Sequence, residues 1–442
     1  MSTRPSSSRP RLIQAMMDAF SLPDLRTRIL FTIGLLIVFR LIAHVPLPGV
    51  DPAAMSTLFQ NTPLLGMLDL FSGGALRNFS VAAMGVYPYI TATIIMTILV
   101  PVIPRLQALS MEGEAGQNKI NMISHWLAIP LGALQAYGQL TLLKSQNPPV
   151  IDPNTSILIM TTLIISMIGG SFLLVWLGEL ITEHGIGNGI SIIIFGGIVA
   201  GYPQTLGQAG LLSANNILGG VIYALIALAT IVLIVYFTEA HRRIPVQYAK
   251  SVFRGGRMYK QSGATHIPLR VNTAGMIPLI FAMSLIMFPG IVASYFQGPA
   301  SDPNFANTIV TWFSPNAPLP VGFFYWGLYF LLTLAFAFFY TVIIFQQQDL
   351  PNTLQKQGGF IPGIRPGAQT KKYLDTVIGH ITWAGALFLG FVAIIPFIAQ
   401  NVTGIQMLFS STGLIIVVGV VLDTMKQLEA QLVMRRYEGF IK

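Results

Sequence analysis

Apolar positions along this chain do not alternate with polar ones or recur on a single helical face; they fill long runs. Bridging a bilayer's hydrocarbon takes about 20 mostly apolar residues. Ten runs reach or approach that length: Ile29–Val45, Phe79–Val100, Asn121–Leu140, Ser156–Trp176, Gly187–Gly201, Ile217–Phe237, Ala274–Tyr295, Val321–Phe345, Val377–Ala399 and Thr412–Leu422. Each predicts a helix, because a helix satisfies its own backbone polar groups in lipid. The fifth and tenth are short and are expected to extend into their flanks. Pro63–Phe71 is apolar but too short to cross, and Ser72-Gly73-Gly74 joins it to the second span. A short apolar helix linked through glycines to a full span describes a discontinuous element, which membrane proteins place where they work. Irregular backbone at that depth must be buried in protein or face a water-filled cavity.

Composition narrows the class. Of 442 residues, 53% are hydrophobic and only 9% charged, against roughly a quarter charged in soluble domains. Such a chain can neither coat a soluble surface nor stay disordered. No cysteine is present, which removes disulfides, thiolate metal sites and cysteine nucleophiles. The N-terminal twenty residues are rich in Ser, Arg and Pro, without the apolar core of a signal peptide. Residues 11–20 are expected to form an interfacial amphipathic helix.

The net charge of +9 changes the picture through its distribution. Of 25 Lys and Arg, 22 fall in the N-tail and after even-numbered spans, against two, Arg77 and Lys144, after odd-numbered ones. By the positive-inside rule this predicts ten helices with both chain ends in the cytoplasm. Arg40, within the first span, lies toward its outer end, where snorkelling is the expected role. Two cytoplasmic connections are long and basic. Glu239–Asn272 holds Arg242, Arg243, Lys250, Arg254, Arg257, Lys260 and Arg270, interleaved with Tyr248, Phe253 and Tyr259. Gln346–Thr376 holds Lys356, Arg365, Lys371 and Lys372. Two or three charges would fix topology or hold anionic lipid. This density and aromatic content suit docking to an acidic partner or RNA.

Catalytic and transport chemistry find little support. Ionisable residues inside membranes are costly and mark ion pathways, yet the spans are almost bare of them; Glu179 and Glu183 sit at the cytoplasmic edge of span 4. His44, His125, His184, His241, His266 and His380 are scattered without metal-ligand spacing, and no nucleophile-elbow motif is present. Gly185, Gly187 and Gly189 read as a tight re-entry turn rather than a phosphate loop. What the spans offer is aliphatic: Ile190 and Ile194, and Val86 and Ile90, each share a helix face at i,i+4. Such pairs are most often core or lipid-facing. The residues alone leave open a passive channel, a small-solute carrier, which would need polar groups at mid-membrane, and an intramembrane protease.

Six stretches carry a resemblance: FRLIAHVPLPGVD at 39–51, FSGGALRNFSVAAMGVYPYITATII at 71–95, MEGEAGQNKI at 111–120, GIGNGISIIIFGGIVAG at 185–201, RRIPVQYAK with THIPLRVNTAGMIP at 242–250 and 265–278, and GGFIPGIRPG at 358–367. In this order they make the chain similar to the SecY/Sec61-alpha family, the channel subunits of the Sec protein translocase. The resemblance implies an all-α fold of ten transmembrane helices in two inverted, pseudo-symmetric five-helix halves around an hourglass pore. The halves would cover 29–201 and 217–422, between a cytoplasmic N-tail at 1–28, an external linker at 202–216 and a cytoplasmic C-tail at 423–442. It implies a passive pore for unfolded secretory chains, with no catalytic residues, cofactor or metal.

By the same resemblance a plug is formed by Pro63, Leu64, Leu65, Gly66, Met67, Leu68, Asp69, Leu70 and Phe71. The pore ring is Val86, Ile90, Ile190, Ile194, Ile280 and Ile416; an aliphatic ring dewets and blocks ions yet does not hold a passing chain. The lateral gate, between spans 2 and 7, carries Thr91, Asn272, Ser284 and Phe288. Thr97 stands where many members have Gln. Arg242, Arg243, Lys250, Arg254, Arg257 and Arg365 would dock the ribosome and the SecA ATPase. Further implied partners are the SecE and SecG subunits, signal sequences and nascent chains, YidC, SecDF and membrane lipids. The implied location is the bacterial plasma membrane rather than the thylakoid.

Overall fold

The computed structural model describes residues 20–51, 54–55, 69, 72–145, 149–152, 154–215, 217–254, 257–273, 275, 277–294, 296, 303–315, 317, 320–348, 350–403 and 411–438. The N-tail helix expected at 11–20 and the segment 63–71 lie outside these residues, save Phe20 and Asp69. In chain order the helices are α1 (Pro23–Ile42), α2 (Tyr87–Val102), α3 (Pro104–Met111), α4 (Glu114–Ser145), α5 (Ile157–His184), α6 (Gly189–Asn215) and α7 (Ile217–Glu239). Strands β1 (His241–Arg254) and β2 (Arg257–Arg270) follow. Then come α8 (Ile277–Ser294), α9 (Phe305–Trp312), α10 (Val321–Gln348), α11 (Leu350–Lys356), β3 (Gly359–Phe360), α12 (Ala368–Thr403) and α13 (Ser411–Glu438).

Each of the ten apolar runs has a helix over it. By length and hydropathy alone, four helical stretches among the described residues could cross a membrane: Ile157–His184, Leu218–Glu239, Val321–Lys356 and Ala368–Val402. The bent pair α2 and α3 makes a fifth candidate, with 98° between its parts. Proline causes that bend. Ile103, pressed by Pro104, is extended at φ −97°, ψ 114°, because a residue before proline is driven out of the helical region.

Helices α1, α2, α4, α5 and α6 pack mainly among themselves, as do α7, α8, α10, α12 and α13. The two sets meet where α6 packs on α13 and α7, and α4 on α8. One large apolar cluster runs through both sets, from Phe39 and Leu47 to Ile416 and Val420. Lipid is as apolar as these side chains, so close van der Waals fit rather than water exclusion holds such helices together. Phe237 of α7 and Phe388 of α12, stacked with centroids 4.0 Å apart, are one such contact.

The structure differs from the sequence reading in three places. The second apolar run begins at Phe79, but helix α2 starts only at Tyr87, and 81–86 are turns. Phe79 (φ 41°) and Gly85 (φ 57°) take left-handed backbone there, and the segment is pinned to the exit of α1 by bonds from Leu47 N to Phe79 O and from Val81 N to Val45 O, both 3.0 Å. The two basic connections, expected as loops, form a small antiparallel sheet in the order β2-β1-β3. Alternation explains it: Ile244 and Val246 are buried while Arg243 and Pro245 are exposed, the period of a half-buried strand. With Leu269, Leu354, Ile361, Leu374 and Val377 they make a second apolar core. Third, Arg40 does more than reach for the interface: its Nη1 donates to Gly73 O at 2.8 Å.

Candidate functional site

The turn-rich segment 72–86 enters the interior between α1 and α6. At Gly73 (φ +66°) the backbone lies so close to α6 that a Cβ at Gly197 would stand 2.3 Å from Gly73 Cα. Only paired glycines permit that approach. The preceding turn is capped by Asp69, whose Oδ1 accepts from Ser72 Oγ (3.0 Å), Leu76 N (3.1 Å) and Arg77 N (3.2 Å). Burial raises the Asp69 carboxyl above its ordinary pKa, although the Ser72 bond and the Arg77 charge pull it down. Arg40 then clamps the Gly73 carbonyl. Of the nine residues in the short apolar segment, only Asp69 is among those described.

The six ring candidates come from four helices and share one environment. Val86 caps α2 and Ile90 lies in its first turns; Ile194 of α6, Ile280 of α8 and Ile416 of α13 complete the buried set. All five belong to the large apolar cluster, and Ile190, partly buried, packs against it. Helix α6 is aimed by the turn that precedes it. Gly187 is left-handed at φ +81°, Gly189 N bonds Thr182 Oγ1 at 2.9 Å, and Ile186 N bonds Thr32 Oγ1 at 3.2 Å. The three glycines thus serve the re-entry turn expected of them.

The two helices named for the gate meet in an unusual way. Helix α2 packs along α3, α4 and α5, and α8 packs along α9 and α10, but α2 and α8 do not form a packed pair. The Tyr87 hydroxyl lies near those of Thr91 and of Ser284 on α8, but Ser284 Oγ, buried, makes no hydrogen bond among the described residues. Thr91 donates to Tyr87 O at 2.9 Å, and Gln135 Nε2 of α4 approaches Thr91 Oγ1 at 3.5 Å. Asn272 is buried, whereas Phe288 is 56% exposed. Thr97 turns back to its own helix, donating to Thr93 O at 2.8 Å.

Of the docking candidates, Arg242, Arg243 and Arg365 are exposed. Lys250, Arg254 and Arg257 lie in the hairpin strands, paired with Gln261 and, for the two arginines, with each other; their side chains lie outside the described residues. The hairpin is anchored at its base. Val271 N bonds Ala240 O at 2.9 Å, Lys426 of α13 pairs with Glu239 at 2.7 Å, and Arg270 stands 3.6 Å from Asp423.

Sequence reasoning gave Arg40 only a snorkelling role and missed Tyr87, Gln135 and the Gly73–Gly197 contact. The paired glycines of SGG and FGG were a visible signal for the last. The others needed the fold, because their partners are 33 to 44 residues away for Arg40 and Gln135 and on another helix for Tyr87.

Comparison with known proteins adds identity to this geometry. A sequence model of the SecY family matches residues 80–425. The protein translocase subunit SecY of Halalkalibacterium halodurans is 42% identical over 444 residues, covering 98% of this chain and all of that one. That of Thermotoga maritima is 40% identical over 437 residues, 97% of this chain and 98% of the other. Among solved structures, a SecY channel described for a plug domain that stabilises the closed state aligns with a TM-score of 0.64 at 17% identity, covering 92% of each chain. Sec61 of a canine ribosome–channel complex aligns at 0.63 and 17%, again over 92% of each. The fold is therefore that of the protein-conducting channels, and with its relatives matched end to end, this multi-pass membrane chain belongs to the SecY family.

Proposed function

We propose that the chain is a passive protein-conducting channel, which passes unfolded secretory polypeptides across the membrane and releases apolar helices sideways into lipid. It is not an enzyme; a partner motor or the ribosome supplies the work. The observation that carries the reading is the convergence of α2, α6, α8 and α13 on one apolar cluster containing Val86, Ile90, Ile190, Ile194, Ile280 and Ile416. As a constriction, these side chains offer water no hydrogen bonds, so the pore dewets and blocks ions. They also give a translocating chain nothing polar to stick to, and it slides.

Residues 63–71 form the plug in this reading, and the Asp69 turn, Arg40 and the Gly73–Gly197 contact hold its downstream hinge. The seam between α2 and α8 is the lateral gate, lined by Thr91, Asn272, Ser284 and Phe288. A signal sequence parts it and gains about 25 cal/mol for each Å² of apolar surface moved into lipid. Ten crossings in two five-helix halves, 29–201 and 217–422, leave both ends in the cytoplasm of a bacterial plasma membrane.

The sheet and the 358–367 segment carry Arg242, Arg243, Lys250, Arg254, Arg257 and Arg365, the docking residues for cytoplasmic partners in this reading. Structural neighbours bound to ribosomes support the ribosome as one; SecA is the other, and SecE and SecG complete the channel. Contacts with ribosomal RNA phosphates weaken with salt, whereas Arg365 suits a carboxylate on the motor.

The test is export of a signal-bearing preprotein into proteoliposomes holding this chain with its small subunits, SecA and ATP. Protection of the preprotein from protease, lost when its signal is removed, is the expected result. Arg365→Glu should cut that export about 30-fold or more, the cost of reversing one member of a buried charge pair, with the chain still inserted. Full export by this variant would overturn the docking role, and export by no preparation would overturn the channel.

A further inference from the structure

Helix α13 carries the ring candidate Ile416 and continues to Glu438, well beyond Val420, its last residue in the large apolar cluster. Its next turns hold two charges of opposite sign, and each meets its counterpart at the root of the hairpin. Lys426 Nζ lies 2.7 Å from Oε1 of Glu239, the last residue of α7. Asp423 Oδ1 lies 3.6 Å from Nη1 of Arg270, the last residue of β2. The residues that follow each, Ala240 and Val271, are bonded to one another through Val271 N and Ala240 O at 2.9 Å. Both strands therefore leave from one closed base, and α13 is joined to both sides of it.

The other face of the same turns is joined to the first set of helices. Met425 and Leu428 share a small apolar core with Leu25 of α1 and Ile186. Thr424 Oγ1 stands where a Cβ on Gly187 would meet it at 3.1 Å, so α13 abuts the turn that aims α6. From Asp423 back to Ile416 is seven residues on one face, two turns and about 10 Å of helix. Each ion pair is partly exposed and holds little by itself, but their order sets a register. Asp423 and Lys426 are three residues apart, close to one turn. Sliding α13 by a turn therefore sets Asp423 against Glu239 or Lys426 against Arg270. Like charges in contact disfavour both slips, and the observed register pairs all four groups.

We propose that Asp423 and Lys426 are positioning residues for the constriction. They latch α13 to the root of the docking hairpin, so that a partner's load on the hairpin moves Ile416 and, through the Gly187 turn, α6 with Ile190 and Ile194. This consequence rests on the docking and ring roles proposed above; the join itself rests on the ion pairs and the small apolar core.

The cysteine-free chain allows the join to be measured directly. Spin labels on His266→Cys of β2 and Gln427→Cys of α13, both exposed, should give one narrow distance distribution in proteoliposomes. Lys426→Glu, which sets a carboxylate against Glu239, should broaden it. Glu239→Lys combined with Lys426→Glu restores the pair with its polarity reversed and should narrow it again. Export of a preprotein per bound SecA should follow the same order. It should fall about fivefold in the single variant, the upper end for one exposed ion pair, and recover in the double, with SecA affinity within about twofold throughout. Equal distributions in all three chains would overturn the latch, as would export that the double variant fails to recover. A loss of SecA affinity matching the loss of export would also overturn it, since the charges would then belong to the docking surface. A parent chain that binds no SecA would count against the docking reading alone, because the distances decide the latch without it.

Discussion

Helix α2 has two faces that the protein treats differently. Toward α4 it is fixed. Gly132 lets α4 come within van der Waals reach of Pro88, Gln135 approaches Thr91, and the Tyr89 ring lies 5.0 Å from that of His125, which in turn stands 3.0 Å from Glu179 of α5. Toward α8, among the described residues, it forms no closely packed pair; the Tyr87 and Ser284 hydroxyls and side chains of the apolar cluster meet there. In the proposed gate, a helix so well held on one side and so lightly on the other moves with α4 and parts from α8. The same sequence run, VYPYITATII, supplies both faces at helical spacing.

The comparison is most sharply broken by cross-linking, which the cysteine-free chain permits. A short bis-maleimide joining Tyr87→Cys to Ser284→Cys should nearly abolish export, because the seam can no longer open. The same linker joining Thr91→Cys to Gln135→Cys should leave export near its unlinked level. Equal loss from both would show that α2 does not distinguish its neighbours. Next in size is a polar group in the ring. Ile280→Asn or Ile416→Asn buries an amide without partners, worth about 1–3 kcal/mol. It should let preproteins with defective signals be exported, and unchanged signal stringency would remove these residues from the constriction.

Overfilling the fixed face comes third. Gly132→Leu should cost about 1–3 kcal/mol by forcing Pro88 and Ile168 apart, read as a lower thermal midpoint in detergent without relaxed signal stringency. Smallest is Tyr87→Phe, which removes a polar contact weaker than a regular hydrogen bond and should raise lateral opening only modestly, as measured by cross-linking of a signal peptide to lipid-facing α8.

The turn capped by Asp69 offers a pH-dependent counterpart. The Asp69 pKa is raised in the folded chain, so its contribution to stability is full below the ordinary carboxylate value near 3.8. It declines as pH rises through the raised value. Asp69→Asn keeps the Oδ1 acceptor without the charge and should remove that decline. Asp69→Ala loses all three bonds and should loosen the hinge at every pH, as followed by protease access to the 63–71 segment.

Helix positions were legible because the physics of the bilayer leaves few options for a long apolar run, and each of the ten runs has a helix over most of it. The start of α2 was not legible, because Phe79–Val86 is as apolar as a span, and its turns are imposed by tertiary bonds to Val45 and Leu47. The hairpin was readable from the alternation of Ile244 and Val246 with Arg243 and Pro245, but that pattern is short and sits within a densely basic connection. Ring candidates came through family motifs rather than periodicity. Four helices separated by up to 330 residues, from Val86 to Ile416, meet in one cluster, and no local pattern encodes such a meeting. Arg40 was misread because snorkelling is the usual fate of an arginine near a helix end, and the Gly73 carbonyl that captures it is visible only in the fold.

The most direct test of a sealed, plugged pore is ion conductance across planar bilayers containing the purified chain, with and without residues 63–71. A silent intact chain and a conducting deletion are predicted, because the aliphatic ring alone seals less completely than ring and plug together. Silence in both, with insertion verified, would contradict the aqueous pore and return the chain to a carrier-type cycle.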